Sequence, residues 1–323
     1  MVRTALALSA LTGKECRVSS IRSRRKNPGL QHQHLETARA VQQMCNAKTE
    51  GLEIGSTEIV FCPRKVEPRD MEIRIPTAGS IALVLQSVML ASFGHEMKIS
   101  FKGGGSHGLW APPLTYTKNI LLPLLMKFGL QGRIDIDKYG YYPSGGAEVR
   151  AVMGSSAINP VIMENRSRLL DVRGISHASS FLEKREVAKR QAEAAARAIK
   201  MMLGVDAKID VIYSHTDSPG SSIQLEAVFE NTVIGANALG EKGKSSQSVG
   251  LEAAHSLSKA VGSATAVDEY AQDQLLPYMA LAPESRIMAG DLTKHSNTNI
   301  WVIEKFLPVK FDIDGPLIFS RAL

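Results

Sequence analysis

Glu72-Ile-Arg-Ile75-Pro-Thr77-Ala-Gly79-Ser80-Ile-Ala-Leu-Val-Leu-Gln86-Ser-Val-Met-Leu-Ala91 changes period part-way along. Glu72–Ile75 alternates as a strand does, whereas Gly79–Ala91 is an apolar helical run interrupted by one amide, Gln86. A strand at Met97–Phe101, a Gly-rich loop, a helix at Thr115–Phe128 and strands at Arg133–Ile136 and Glu148–Met153 follow. The unit is βαβαββ. Strand-first units with two helices and a closing pair of strands predict sheets with helices on one face.

The same order recurs on both sides. Upstream come a strand at Cys16–Ile21, the loop Arg22–Gly29 and a helix at Gln33–Ala47. That helix lines up Leu35, Ala38, Val41, Met44 and Cys45 at amphipathic spacing. Strands at Gly51–Ile54 and Glu58–Cys62 are joined by Gly55-Ser56, a hairpin signal. Downstream come a helix at Thr265–Ala282, a strand at Arg286–Met288, a helix opening at His295, and strands at Lys310–Ile313 and Leu317–Phe319. Identity between the copies is weak, so the evidence is the order of elements and a length of about 60 to 80 residues. The expected fold is α+β: three βαβαββ-type repeats, each with helices on one face of a four-stranded sheet, over residues 1–168 and 264–323. Residues 169–263 differ in character and predict an inserted small α/β domain. They hold a charged helix at Phe181–Leu203, strands at Lys208–Tyr213 and Ser222–Phe229, and a helix at Ser248–Val261.

A net charge of +6 over 323 residues favours an anionic partner such as RNA or a nucleotide. Cys16, Cys45 and Cys62 form no CxxC pair, which argues against a zinc site or a disulfide framework and fits a reducing, cytoplasmic setting. No apolar run approaches the ~18 residues a membrane span needs. Met1–Thr12 faintly imitates a signal peptide, but Ser9 and Thr12 break its apolar stretch and its leading region has a single charge. It reads instead as the inside of a helix.

Three clusters carry candidate chemistry. Arg22-Ser-Arg24-Arg25-Lys26 puts four cations just before a helix start with Gln31, His32, Gln33 and His34, an anion site by charge and by dipole. Arginine forks match phosphate oxygens bidentately; a solvated basic loop is the plainer alternative. Gln86 is either satisfied in the core or a ligand contact. Asp268-Glu269-Tyr270-Ala271-Gln272-Asp273-Gln274 is either an exposed helix face or a nucleotide contact, with Tyr270 as a stacking surface. His295 sits at a helix start beside small polar residues, where a neutral imidazole can act as a nucleophile toward phosphorus. Two near-motifs fail. Ala238-Leu-Gly-Glu-Lys-Gly243-Lys244-Ser245 has alanine where a phosphate loop requires glycine. Lys310-Phe-Asp312-Ile-Asp314-Gly315 misses the spacing of a ligase lysine motif by two.

Together these blocks resemble the RNA 3′-terminal phosphate cyclase family over essentially the whole chain. The matching stretches are Ile21-Arg22-x-x-Arg25-x-x-Pro28-Gly29-Leu30-x-x-Gln33-His34-Leu35, Thr77-Ala-Gly79-Ser80 with Gln86, Gly140-Tyr-Tyr-Pro143-x-Gly-Gly146, Asp268-Glu269-Tyr270-x-x-Asp273-Gln274-Leu275, Met279-Ala-Leu-Ala282 and His295-x-x-Thr298. The resemblance implies three repeats like the C-terminal domain of translation initiation factor three, with a small insert between the second and third. It also implies a reaction using ATP and Mg²⁺ or Mn²⁺. His295 takes AMP from ATP, AMP passes to the 3′-phosphate of RNA, and the neighbouring 2′-hydroxyl closes a 2′,3′-cyclic phosphate. By the same resemblance Gln86, Pro113, Tyr270, Ala271, Gln272, Asp273 and Gln274 hold ATP, with adenine between Pro113 and Tyr270. Arg3, Arg22, Arg25, Gln33 and His34 take the terminal RNA phosphate or the triphosphate. No metal ligand is assigned, and a homodimer is left open.

The departure is at the front. Family members begin with a strand and a Gly-rich block, including a glutamate implicated in metal binding, ahead of the helix that starts here at Met1. The expectation is a start codon set too late, with a short form that adenylates poorly or not at all. The competing readings are a non-catalytic RNA-binding relative of ribosome assembly and an enolpyruvyl-transferase-like enzyme of related repeat architecture. The first should lack a nucleophile at His295; the second should turn over phosphoenolpyruvate without ATP.

Overall fold

The computed structural model describes residues 1–154 and 157–323. Helix α1 (Val2–Thr12) buries Ala5, Leu6 and Leu8. Strand β1 (Cys16–Val18), helix α2 (His32–Cys45) and strands β2 (Lys48–Glu50) and β3 (Ile59–Cys62) follow, with sheet order β1-β3-β2. The strand expected at Gly51–Ile54 is not formed. Residues 51–58 are instead the connection between β2 and β3, and they pack backbone against backbone on the basic loop. Leu30 N donates to Ser56 O (2.8 Å), Gly55 N to Leu30 O (2.8 Å) and Ile21 N to Thr57 O (3.0 Å). A Cβ on Gly29, whose φ is +79°, would lie 2.1 Å from the Gly55 carbonyl oxygen. Glycine is therefore required there, and the contact sets the shape of the loop that carries Arg22 and Arg25.

Next come β4 (Met71–Ser80), α3 (Ile81–Ala91), β5 (Met97–Gly105), α4 (Leu114–Tyr116), a π-helical turn (Thr117–Leu121), α5 (Leu122–Lys127), β6 (Gln131–Lys138) and β7 (Glu148–Gly154). Their sheet has the order β4-β5-β7-β6, with β4 parallel to β5. The helix expected from Gly79 begins two residues later, because the strand runs on to Ser80, whose hydroxyl accepts from Leu83 N as an N-cap.

The remaining elements are β8 (Ile162–Met163), β9 (Leu169–Ser179), α6 (Val187–Leu203), β10 (Ala207–Ser214), β11 (Ser221–Phe229), β12 (Val233–Leu239), α7 (Ser246–Gly262), α8 (Glu269–Leu281), β13 (Arg286–Met288), α9 (Lys294–Phe306), β14 (Val309–Asp314) and β15 (Leu317–Ala322). Two more sheets result, β10-β9-β11-β12 and β8-β13-β15-β14. The long charged helix expected from Phe181 is split: Ser180–Arg185 is a 3-10 turn, and α6 starts only after Glu186, whose φ is +48°. Helix α8 starts later than Thr265 because the Asp268 carboxylate caps it, accepting from Tyr270 N and Ala271 N, both at 3.0 Å.

The fold is α+β. One hydrophobic core runs from Val2 to Ile318, and a second gathers side chains between Val172 and Leu257. In the first, helices pack on helices: α1 on α2, α3 and α9, α3 on α2 and α8, and α8 on α9. That packing brings α1, α3, α8 and α9 side by side.

A buried polar stack joins the two cores. The His177 ring lies on Tyr139 (centroids 3.7 Å apart), and its Nδ1 meets Tyr141 Oη at 2.6 Å and its Nε2 Ser214 Oγ at 2.7 Å. His107 stacks on Tyr141. Burial pushes the pKa of His177 from 6.5 down to about 4, and that of His107 down to about 3. In that window the unfolded chain takes up protons that the folded chain refuses, so stability falls as pH drops from about 6.5 toward 4. Urea unfolding of His177→Gln should show about 1–2 kcal/mol lower stability at pH 7, from orphaned partners, yet a shallower fall across this window than the parent. An unchanged pH slope would show that His177 is not held neutral.

Candidate active site

A cleft of ≈ 620 Å³ opens where four helices meet. Its walls include Arg3 of α1, Gln86 of α3, Tyr270, Asp273 and Gln274 of α8, and His295 of α9. Tyr270, Asp273 and Gln274 reach it together because residues three and four apart share a helix face. His295 is the second residue of α9, exposed, and carried on a helix whose start is firmly built. The Thr293 hydroxyl caps it, accepting from Ser296 N at 3.0 Å.

Behind His295 lies a buried amide that fixes the approach to it. Gln272 Nε2 donates to Ala289 O (2.8 Å), Gly290 O (3.3 Å) and Asp291 O (3.0 Å). Its Oε1 accepts from Thr293 N (3.3 Å) and Ser296 Oγ (2.5 Å). One side chain thus holds the whole loop leading into α9. Both ends of the Gln272 amide, which the family resemblance assigns to ATP, are occupied by backbone and Ser296. Ala271 is fully buried on the same side of α8 and also does not line the cleft. Pro113 is buried at the start of α4, and its neighbour Pro112 is the proline that lines the cleft.

Asp273 faces the cleft with its carboxyl pushed up by burial, against the opposing pull of the His295 and Arg3 charges. Its backbone carbonyl accepts from Asn299 Nδ2 (3.2 Å), and Asn299 Oδ1 accepts from Thr4 Oγ1 (2.9 Å), so α8, α9 and α1 are tied together beside the site. Tyr270 keeps 47% of its surface exposed and stands edge-on to the buried Tyr116, which leaves a ring face available.

Arg22, Arg25, Gln33 and His34 do not line this cleft; Arg3 links them to it. Burial, then the charges of Arg3 and Arg22, lower the His34 pKa from 6.5 to about 4. Its Nδ1 accepts from Gln31 N (3.3 Å), closing a capping box at the start of α2. Gln33 Nε2 is buried with no hydrogen-bond partner among the described residues. A buried orphan donor calls for an acceptor, and the neighbouring His34 feels the charges of Arg3 and Arg22. Arg22 curls onto its own loop through Nη1 to Asn27 O (2.6 Å), whereas Arg25 is exposed.

Several lining residues escaped the sequence reading. Trp110 is 96% exposed at the cleft, with φ at +60°. It adjoins the Ala111-Pro112-Pro113 block, and a tryptophan beside such a turn was the available signal. Glu241 and Glu252 come from the other core and could not be placed here from local pattern. Among the described residues no group of three or more His, Cys, Asp or Glu side chains is arranged to hold a metal. No helix there is long and apolar enough to cross a membrane.

An exposed imidazole on a braced helix start, in one cleft with a carboxylate, an arginine and an aromatic ring, suits reactions at phosphorus. The family model described as RNA 3′-terminal phosphate cyclase matches residues 1–313. The RNA 3′-terminal phosphate cyclase of Methanopyrus kandleri is 41% identical, covering 98% of this chain and 92% of its own length. Those of Pyrococcus furiosus and Methanothermobacter thermautotrophicus are 38% and 39% identical, covering 98% of this chain and 92% and 93% of their own lengths. The chain belongs to the RNA 3′-terminal phosphate cyclase family and is an enzyme of that family.

Gln272→Ala should cost about 2–4 kcal/mol, because it leaves several buried backbone groups and Ser296 without partners. Amide hydrogen exchange over 289–297 should accelerate while the rest of the chain stays protected. Uniform acceleration throughout would show that Gln272 supports the whole fold and not this loop.

Proposed function

We propose that this enzyme converts an RNA 3′-terminal phosphate into a 2′,3′-cyclic phosphate using ATP, by way of His295. The imidazole attacks the α-phosphorus of ATP; a P–N bond forms and pyrophosphate leaves. An oxygen of the RNA 3′-phosphate then attacks the same phosphorus and frees the histidine. Finally the neighbouring 2′-hydroxyl attacks the 3′-phosphorus, loses its proton and displaces AMP. Activation gives the 3′-phosphate a leaving group, and proximity makes ring closure effectively intramolecular.

The observation that carries this reading is the presentation of His295. It is exposed at the cleft, on a helix start held by Thr293 and Gln272. Tyr270, with Pro112 at the same cleft, offers a surface for the adenine, and Gln86, Asp273 and Gln274 line the space for the rest of the nucleotide. Arg3 stands between this space and the Arg22–His34 group, which would take the terminal RNA phosphate, with Gln33 Nε2 as a ready donor. Mg²⁺ or Mn²⁺ bound with ATP would neutralise phosphate charge; such ions keep waters and need only one or two carboxylates beside the phosphates, and Asp273 and Glu269 line the cleft to supply them.

The same reading takes residues 1–168 and 264–323 as three copies of one unit, and 169–263 as an inserted domain. In support, β4-β5-β7-β6 and β8-β13-β15-β14 have the same order with a parallel first pair, and β1-β3-β2 follows their last three positions. The second hydrophobic core supports the insert.

Incubation with α-labelled ATP and Mg²⁺ or Mn²⁺ should give an acid-labile label on the protein, at low yield. His295→Ala should lower it by a factor on the order of 100 or more, since no other group replaces a lost nucleophile. Equal labelling of the variant would remove His295 from the mechanism.

A further inference from the structure

The loop Gly240–Ser245, which fails as a phosphate loop, lines a second cavity of ≈ 490 Å³. Arg185 borders it from the 3-10 turn before α6, Arg190 from the first turn of α6, and Lys242 and Lys244 from the loop, against a single carboxylate among the described residues, Glu241. Two of these cations are anchored. Arg190 Nη2 donates to Gln247 Oε1 (3.0 Å), and Lys244 Nζ pairs with Glu252 at 2.5 Å. Arg185 and Lys242 are exposed and form no ion pair among the described residues. The first turn of α7, capped by Ser245, adds its partial positive charge to the same space. The fully buried Gln191 gives the cavity a polar lining, with Nε2 donating to Ser221 Oγ at 2.9 Å.

This charge calls for phosphate but not for a nucleotide. Among the described residues no aromatic ring lines the cavity to stack a base. Ala238 is paired with Ile223 inside the sheet, so the chain does not make the turn with which a phosphate loop wraps a triphosphate. The cavity is also next to the His295 cleft: Glu241 lines both, and Glu252 of the cleft is the partner of Lys244. A strand whose 3′ end lies at His295 has further backbone phosphates to place, and this cation-lined cavity shares a wall with the cleft.

We infer that this cavity binds the sugar-phosphate backbone of the RNA upstream of its 3′-terminal phosphate, an inference that rests on the cyclase reading. It grips phosphates without reading bases, and so extends the substrate site toward longer strands of any sequence.

Equilibrium binding, measured by fluorescence anisotropy without ATP, tests this on the whole chain. The probes are an oligoribonucleotide and a dinucleotide, each ending in a 3′-phosphate. The parent should prefer the oligonucleotide, and R185A/K242A should shrink that preference about tenfold. For the oligonucleotide the slope of log affinity against log salt should become shallower by about 1.4, roughly 0.7 for each cation removed. A preference and slope equal to those of the parent would overturn the proposal. So would an equal loss for oligonucleotide, dinucleotide and ATP, which would mark a site for free nucleotide or a global change. If the parent keeps its His295-dependent label but does not prefer the longer RNA, this inference falls and the adenylation reading stands.

Discussion

The carboxylate of Asp268 is the point on which the rest depends. It is buried and accepts four hydrogen bonds: from Tyr116 Oη (2.6 Å), from Gly235 N in β12 (3.0 Å), and from Tyr270 N and Ala271 N at the start of α8. Those donors belong to three parts of the molecule. Tyr116 lies on the helical segment that follows the Trp110 loop, Gly235 on the sheet of the second core, and Tyr270 at the cleft. A buried carboxylate satisfied on every side is tolerated; one stripped of a donor is not. The three walls of the cleft are therefore set by one another, and none can shift without leaving a charge or a donor unpaired.

Helix α8 then divides its labour by face. Tyr270, Asp273 and Gln274 turn to the cleft, while Ala271 and Gln272 turn inward. The inward face does as much for His295 as the outward one, because Gln272 holds the loop from Ala289 to Thr293 that delivers it. A row of neighbouring polar residues on one helix is thus not a single binding surface. The spacing of 3.6 residues per turn separates those that face the cleft from those that hold the loop behind it.

Local pattern made much of the architecture legible. Period-2 alternation marked the strands of the β4–β7 sheet, and 3.6 periodicity marked α2 and α3. Strands β9 and β12 were not anticipated. Val233-Ile-Gly-Ala-Asn-Ala-Leu239 is buried along most of its length, and a strand covered on both faces loses the alternation that signals it. The expected hairpin forms, but with its first strand at Lys48–Glu50 and a longer connection, for a related reason. Gly55 and Ser56 serve a contact with the basic loop, and that loop is distant in the chain pattern though adjacent in space.

The site divides in the same way. By itself the sequence determined the order of elements, the run of cations before α2, and a histidine at a helix start beside small polar residues, because periodicity and charge clustering depend on residues a few positions apart. Only the tertiary structure decided that Arg3 meets Asp273 and His295, that Pro112 and not Pro113 faces the cleft, that Gln272 braces the loop into α9, and that a cation-lined cavity adjoins the cleft across Glu241. Those are relations between helices and sheets far apart in the chain. They follow from which apolar faces are buried against which, and no short window of sequence carries that information.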